Sequence, residues 1–154
     1  MFLPNGVDLS LPEATGSYQH LRLRLLGSSD SAWITSSDRT EGQSNYLLGA
    51  DPSRWVRGVP NYSRIKYKAI YPGIDLVFYG NKNKLEHDFQ LAAGADTSRI
   101  ALQFEGAKGA RLTQAGDLQI HLENGILILD RPAAYQMTAA GRSRAGHVLV
   151  SRQD

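Results

Sequence analysis

Arg64-Ile65-Lys66-Tyr67-Lys68-Ala69-Ile70-Tyr71-Pro72-Gly73-Ile74-Asp75-Leu76-Val77-Phe78-Tyr79-Gly80-Asn81-Lys82-Asn83-Lys84-Leu85-Glu86-His87-Asp88-Phe89-Gln90-Leu91 reads with a period of two. Side chains alternate between the faces of a strand, so such a run belongs to half-buried β-structure and not to a helix. Ile65, Tyr67 and Ala69 are set against Arg64, Lys66 and Lys68. Pro72 and Gly73 then suit the two central positions of a turn. The connector Gly80-Asn81-Lys82-Asn83 predicts a hairpin that pairs Tyr79 with Lys84, Val77 with Glu86 and Asp75 with Asp88. Ile74, Leu76, Phe78, Leu85, Phe89 and Leu91 then share an apolar face, while Asp75, Glu86 and Asp88 share the wet one.

The same alternation extends in both directions. Val7, Leu9 and Leu11 form one strand and Leu21, Leu23 and Leu25 another; Ile100, Leu102 and Phe104, then Leu118, Ile120 and Leu122, then Ile126 to Leu129 follow. Asn124-Gly125 predicts a type I′ hairpin turn, since both residues tolerate positive φ. Ala133 to Met137 and His147 to Val150 read as further short strands. Gly27 to Ser44, rich in Ser, Asp and Gly, reads as a long loop with one short edge strand near Trp33-Ile34, and Asp38, Glu41 and Asn45 read as solvated loop residues. Asp51-Pro52 and Asp96-Thr97-Ser98 are capping patterns that predict one or two short helical turns. About ten to twelve short strands with no helix-length pattern predict an all-β fold, an antiparallel β-sandwich or open barrel of meandering hairpins.

At 154 residues the expectation is a single β domain over 1–154, truncated at its C-terminal edge relative to the natural unit. Hydrophobic residues make up 42% and charged residues 21%, which places the chain among globular proteins and not disordered ones. With no cysteine, disulfides and thiolate metal sites are excluded. Seventeen basic residues against fifteen acidic ones are spread along the chain, so no phosphate-tracking surface is concentrated and no nucleic-acid partner is expected. No apolar run reaches the roughly 20 residues that cross a bilayer, so no membrane insertion is expected. Met1 to Gly6 lacks the blocks of a signal peptide, and the signal of a secreted protein is expected to lie outside this sequence.

The chemistry centres on the charged stripe. In its structural reading, Arg64, Lys66 and Lys68 neutralise Asp75, Glu86 and Asp88 across adjacent strands. In its functional reading the three acids are acid, base or cation ligands of a site. A third reading makes Arg64, Lys66, Asp75, Tyr79, Glu86 and Asp88 a polar binding face for a protein or a glycan, with Trp33, Trp55, Tyr62 and Tyr71 as aromatic contacts. Carboxylates two apart on a strand lie about 7 Å from each other, which suits a glycosidase pair without identifying one. The histidines His20, His87, His121 and His147 form no close metal-binding pair, so no metal and no cofactor is expected, and His87 on the apolar face reads as a hydrogen-bonded core imidazole. Neither a serine-nucleophile motif nor a phosphate-binding glycine loop is present.

Asn45-Tyr46-Leu47-Leu48-Gly49-Ala50-Asp51-Pro52-Ser53-Arg54-Trp55, Val59-Pro60-Asn61-Tyr62, Tyr71-Pro72-Gly73-Ile74-Asp75-Leu76-Val77-Phe78-Tyr79-Gly80, Leu85-Glu86-His87-Asp88-Phe89, Gly94-Ala95-Asp96 and Arg131-Pro132-Ala133-Ala134-Tyr135-Gln136 form an ordered set. This set resembles the N-terminal β domain associated with SBBP-type β-propeller repeat proteins of bacteria, a domain of unknown function. His87 stands where that family has an aromatic residue and Ala93 where it has proline; the family's closing strands are missing. The resemblance implies an extracellular or cell-surface setting and a non-catalytic structural or interaction module beside a propeller or another protein partner. The rival expectation is a carbohydrate-binding or glycoside-hydrolysing domain using Asp75, Glu86 and Asp88. A third, a folded piece of a larger protein, predicts self-association through uncovered edge strands.

Overall fold

The computed structural model describes residues 1–13, 16–82, 84–139 and 141–144; the strand expected over His147 to Val150 lies outside them. The chain is all-β. Its strands are β1 Phe2–Leu3, β2 Gly6–Pro12, β3 Tyr18–Leu26, β4 Trp33–Tyr46, β5 Val56–Tyr71, β6 Ile74–Asn81, β7 Lys84–Leu91, β8 Ala101–Glu105, β9 Gly109–Leu112, β10 Leu118–Leu122, β11 Gly125–Leu129, β12 Tyr135–Thr138 and β13 Gly141–Arg144. Two 3-10 turns, Pro52–Arg54 and Thr97–Arg99, start where Asp51 and Asp96 accept the amides of Ser53 and Ser98, as their capping patterns predict. The sheets run β1-β2-β3-β8, β4-β5-β6-β7, β11-β10-β9 and β12-β13.

The chain divides into two compact units. One comprises Phe2–Gly6 with Leu25–Leu102; the other comprises Met1, Val7–Arg24 and the described residues from Gln103 onward. In the first, Tyr67, Ile70, Tyr71, Ile74, Leu76, Val77 and Phe78 are buried. The Tyr67 hydroxyl donates to the carbonyls of Leu3 and Gly6 at 2.8 and 2.9 Å, and the rings of Phe2, Tyr67 and Phe78 meet at tilted or edge-on angles. Burial pushes the Tyr67 phenol up to about 12. In the second, Val7, Leu21, Leu23 and Ile120 are buried, and Arg22 holds Asp8 while Arg24 holds Glu105.

Four local expectations are corrected. The Ser-rich segment expected as a long loop with one short edge strand near Trp33-Ile34 is the 14-residue edge strand β4, nearly all of it exposed on both faces. Such a strand has no buried side to impose alternation; its backbone pairing with β5 makes it a strand. Asp38 and Asn45, expected as solvated loop residues, are exposed as expected but lie on β4 and are bonded: Asp38 pairs with Arg64 and Asn45 accepts the amide of Gly58. The β10–β11 turn closes at Leu122 and Gly125, so Glu123 and Asn124 are its centre, and neither has positive φ. Leu85 and Leu91 have apolar-face parity yet remain about half exposed, at 47% and 46%, because β7 is the last strand of its sheet.

His87 lies on the apolar side as expected, but its ring is held by packing: its centroid is 5.7 Å from Phe78 and 5.8 Å from Phe89. No hydrogen bond reaches it among the described residues. Burial holds its pKa below the ordinary 6.5. A base with a depressed folded pKa binds its proton first in the unfolded chain, so its stabilising contribution is complete above about 6.5 and falls as pH drops through the folded value. His87→Phe removes that loss, and its Tm advantage over the wild type, followed by circular dichroism, is expected to be larger at pH 5 than at pH 7.5. Equal differences at both pH values would refute the assignment.

Candidate functional site

The site rests on the register of β5, β6 and β7. The β6–β7 ladder pairs Tyr79 with Glu86, Val77 with Asp88 and Asp75 with Gln90, and continues through Gly80 and Asn81 to Lys84. The expected pairing is therefore off by two residues: the loop is shorter, with Lys82 at φ 44° taking the strain of the tight turn. A shift of two preserves parity, so the acids do share a face with Arg64 and Lys66 as predicted. It changes the opposed partners, and Asp75 no longer meets Asp88. The like-charge conflict expected between those two strands does not arise.

Asp75 sits opposite a bulge. Between the pairs Tyr67–Leu76 and Tyr71–Ile74, β5 places Lys68, Ala69 and Ile70 against Asp75 alone. The bulge turns Ala69 to φ 53°, exposes it instead of burying it, and lets Ile70 and Tyr71 both enter the core. It also frees the Ala69 amide from the ladder. Asp75 Oδ1 accepts that amide at 2.8 Å while Oδ2 lies 2.8 Å from Lys66 Nζ, which also donates to Gln90 Oε1 at 2.9 Å. Partial burial pushes the Asp75 carboxyl up, but the Ala69 amide and the Lys66 ammonium outweigh it and hold the group below its ordinary 3.8.

The remaining charges are held separately. Arg64 pairs with Asp38 at 3.0 Å and lies over the Tyr79 ring at 5.7 Å. The Tyr79 hydroxyl donates to Asp88 at 3.2 Å, and Asn81 donates to Glu86 at 2.8 Å. Tyr79 is pushed up to about 12, first by desolvation and then by the negative charge of Asp88 and Glu86. Asp38, Asn81 and Gln90 are the partners that sequence reasoning missed, because each acts through a register fixed only by folding.

The four aromatics do not form one platform. Trp33 is exposed and stands opposite Lys68; Tyr62 is exposed and stands opposite Arg39. Along β5 those two positions are six residues apart, about 20 Å. Trp55 anchors its loop, its Nε1 donating to the Gly49 carbonyl with Arg57 over the ring at 5.0 Å. Tyr71 is not a surface contact at all: it is 1% exposed and its hydroxyl donates to the carbonyls of Leu26 and Ala101. A shallow open depression beside Asp75 is lined by Ala69, Gly73, Ile74, Gln90, Leu91 and Ala92, without an aromatic ring. Among the described residues no group of three or more His, Asp or Glu side chains is placed to hold a metal.

Asp75→Ala is expected to cost about 0.5–1.5 kcal/mol by removing the acceptor of the exposed Ala69 amide and the anionic partner of Lys66, which keeps Gln90. Asp75→Asn, which keeps an acceptor for the amide, is expected to recover most of it. Urea denaturation of the three proteins checks this, and equal losses in both variants would show that the amide bond contributes nothing.

No curated protein and no solved structure matches the chain. A family profile described as a domain of unknown function, DUF7948, matches residues 8–148, which span the bulge, the charged sheet face and both capped turns. The chain belongs to the DUF7948 family.

Proposed function

We propose that this chain is a non-catalytic structural and interaction module of an extracellular or cell-surface protein, seated beside a β-propeller or another protein partner. The observation that carries the reading is the use made of Asp75. Both of its oxygens are engaged by a backbone amide and an ammonium, and its pKa is lowered. A general acid needs the reverse, a carboxyl kept protonated near neutral pH, so Asp75 is unsuited to the acid half of a glycosidase pair. The depression beside Asp75 is open and lined without an aromatic ring, unlike the concave, apolar-walled clefts that hold most small-molecule ligands. The resemblance to propeller-associated domains supplies the setting.

A glycan array and a hydrolysis assay with the wild type and a Glu86→Ala, Asp88→Ala double variant test the reading. The expected result is no glycan bound or cleaved by either protein. Binding or turnover by the wild type that the double variant loses would replace this reading with the carbohydrate one.

A further inference from the structure

The β4-β5-β6-β7 sheet has two edges of opposite character. β4 breaks its ladder with β5 at two places, between Arg39 and Gln43 and between Ser44 and Tyr46, and Asp38 takes φ 57°. Bulges and left-handed residues of this kind blunt an edge against new pairing. β7 has neither a bulge nor a left-handed residue, and what guards it is the charge of Lys84, Glu86 and Asp88. It pairs with β6 over eight consecutive residues without a shift, has no proline, glycine or positive φ, and no strand pairs with its outer side among the described residues.

The β7 edge is also amphipathic. On one face Leu85 and Leu91 stand half exposed at either end of His87 and Phe89. On the other, Glu86 and Asp88 accept hydrogen bonds from neutral groups, Asn81 and Tyr79, and no cation pairs with either among the described residues. Elsewhere on this sheet, by contrast, Asp38 and Asp75 each have a cation.

A second copy of β7, whose one cation is Lys84, meets both carboxylates with a cation in no register that keeps the two faces apart. Antiparallel self-pairing centred on His87 sets Glu86 opposite the copy's Asp88 twice; centring on Glu86 or Asp88 opposes like carboxylates at the dyad, the former also setting Lys84 opposite Asp88, and centring on Phe89 leaves Asp88 opposite Gln90. A register centred between His87 and Asp88 sets Leu85 opposite Gln90 and Glu86 opposite Phe89, mixing the two faces. Directly opposed like charges destabilise a sheet, and opposite charges stabilise it. What the edge does match is a strand with cations opposite Glu86 and Asp88 and apolar residues opposite Leu85, His87 and Phe89.

We infer that β7 is a docking edge for an extended partner segment in which basic and apolar residues alternate, added to the sheet as a fifth strand. Main-chain hydrogen bonds supply affinity and the alternating side chains supply register. The inference rests on the reading of this chain as an interaction module and names the chemistry of its partner.

The test uses a blocked seven-residue peptide alternating valine and lysine, with two controls: an isomer whose lysines are consecutive, and an alternating peptide N-methylated at every second amide. Binding is followed by fluorescence anisotropy, and the contact is located by amide shifts in NMR spectra. The alternating peptide is expected to bind saturably and perturb the β7 amides. A Glu86→Gln, Asp88→Asn variant is expected to bind about fivefold more weakly or worse, with a Tm close to that of the wild type, and both controls are expected to bind more weakly still. Equal binding of the consecutive-lysine isomer, unchanged binding by the variant, perturbation of β4 in place of β7, or no binding would each overturn the inference. None of these outcomes involves a glycan, so the module reading is judged separately by the array.

Discussion

Tyr67→Ala is expected to lower stability by about 3–5 kcal/mol, the cost of deleting a large buried aromatic side chain. Tyr67 has no exposed surface and packs its ring against Phe2 and Phe78. Its one hydroxyl proton is shared between the carbonyls of Leu3 and Gly6, so truncation empties the core and removes that donor from both. For a domain of this size the loss corresponds to a fall in Tm of about 6–20 °C. Tyr67→Phe keeps the ring and removes only the hydroxyl, and is expected to cost about 1–3 kcal/mol. Chemical denaturation of the pair separates packing from hydrogen bonding. A loss under about 1 kcal/mol for Tyr67→Ala would mean that Tyr67 is not the centre of this core.

Gly106→Ala is the second large effect, expected at about 2–4 kcal/mol. Gly106 ends β8 with φ 90°, a conformation that only glycine adopts without strain. A Cβ there would lie 2.7 Å from the His20 carbonyl oxygen, a backbone atom with no side-chain freedom to yield. Strain and overlap therefore add. Gly80→Ala is the matched control, since a Cβ at Gly80 meets nothing within 4 Å. Thermal unfolding of the two variants is expected to show a Tm several degrees lower for Gly106→Ala than for Gly80→Ala. Comparable Tm values would refute the close approach.

Which parts of this molecule were legible in its sequence follows from what burial writes into a chain. Leu21, Leu23 and Leu25 are buried on one side of β3, and Ile74, Leu76 and Phe78 on one side of β6, so their period of two was visible at once. The capped turns at Asp51 and Asp96 were equally plain, because capping is a local interaction. β4 was legible only as a short edge strand near Trp33-Ile34, and its length was not: exposed on both faces, Thr35, Ser36 and Ser37 carry no alternation to read.

The candidate site was legible in outline only. Parity placed Arg64, Lys66, Asp75, Tyr79, Glu86 and Asp88 on one face, and parity survives a shift of two. Pairing does not survive it, so the opposition of Asp75 to Asp88 was wrong and Gln90 went unseen. The bulge at Ala69 was beyond reach, since nothing local distinguishes Lys68-Ala69-Ile70 from the alternation before it. Tyr71 misled for a related reason: a tyrosine before Pro-Gly looks like a surface turn residue, and the bulge carries it into the core.

The structural role of Asp75 is the claim on which the functional reading turns, and carboxyl-detected NMR titration of that one side chain tests it. Its lowered pKa stabilises the fold above the ordinary value of 3.8, and that contribution is lost as pH falls through the folded value. A midpoint below 3.8, with the Ala69 amide losing protection from hydrogen exchange over the same pH range, is the predicted result. A midpoint raised toward neutrality would mean a carboxyl held protonated for chemistry, and would contradict the account.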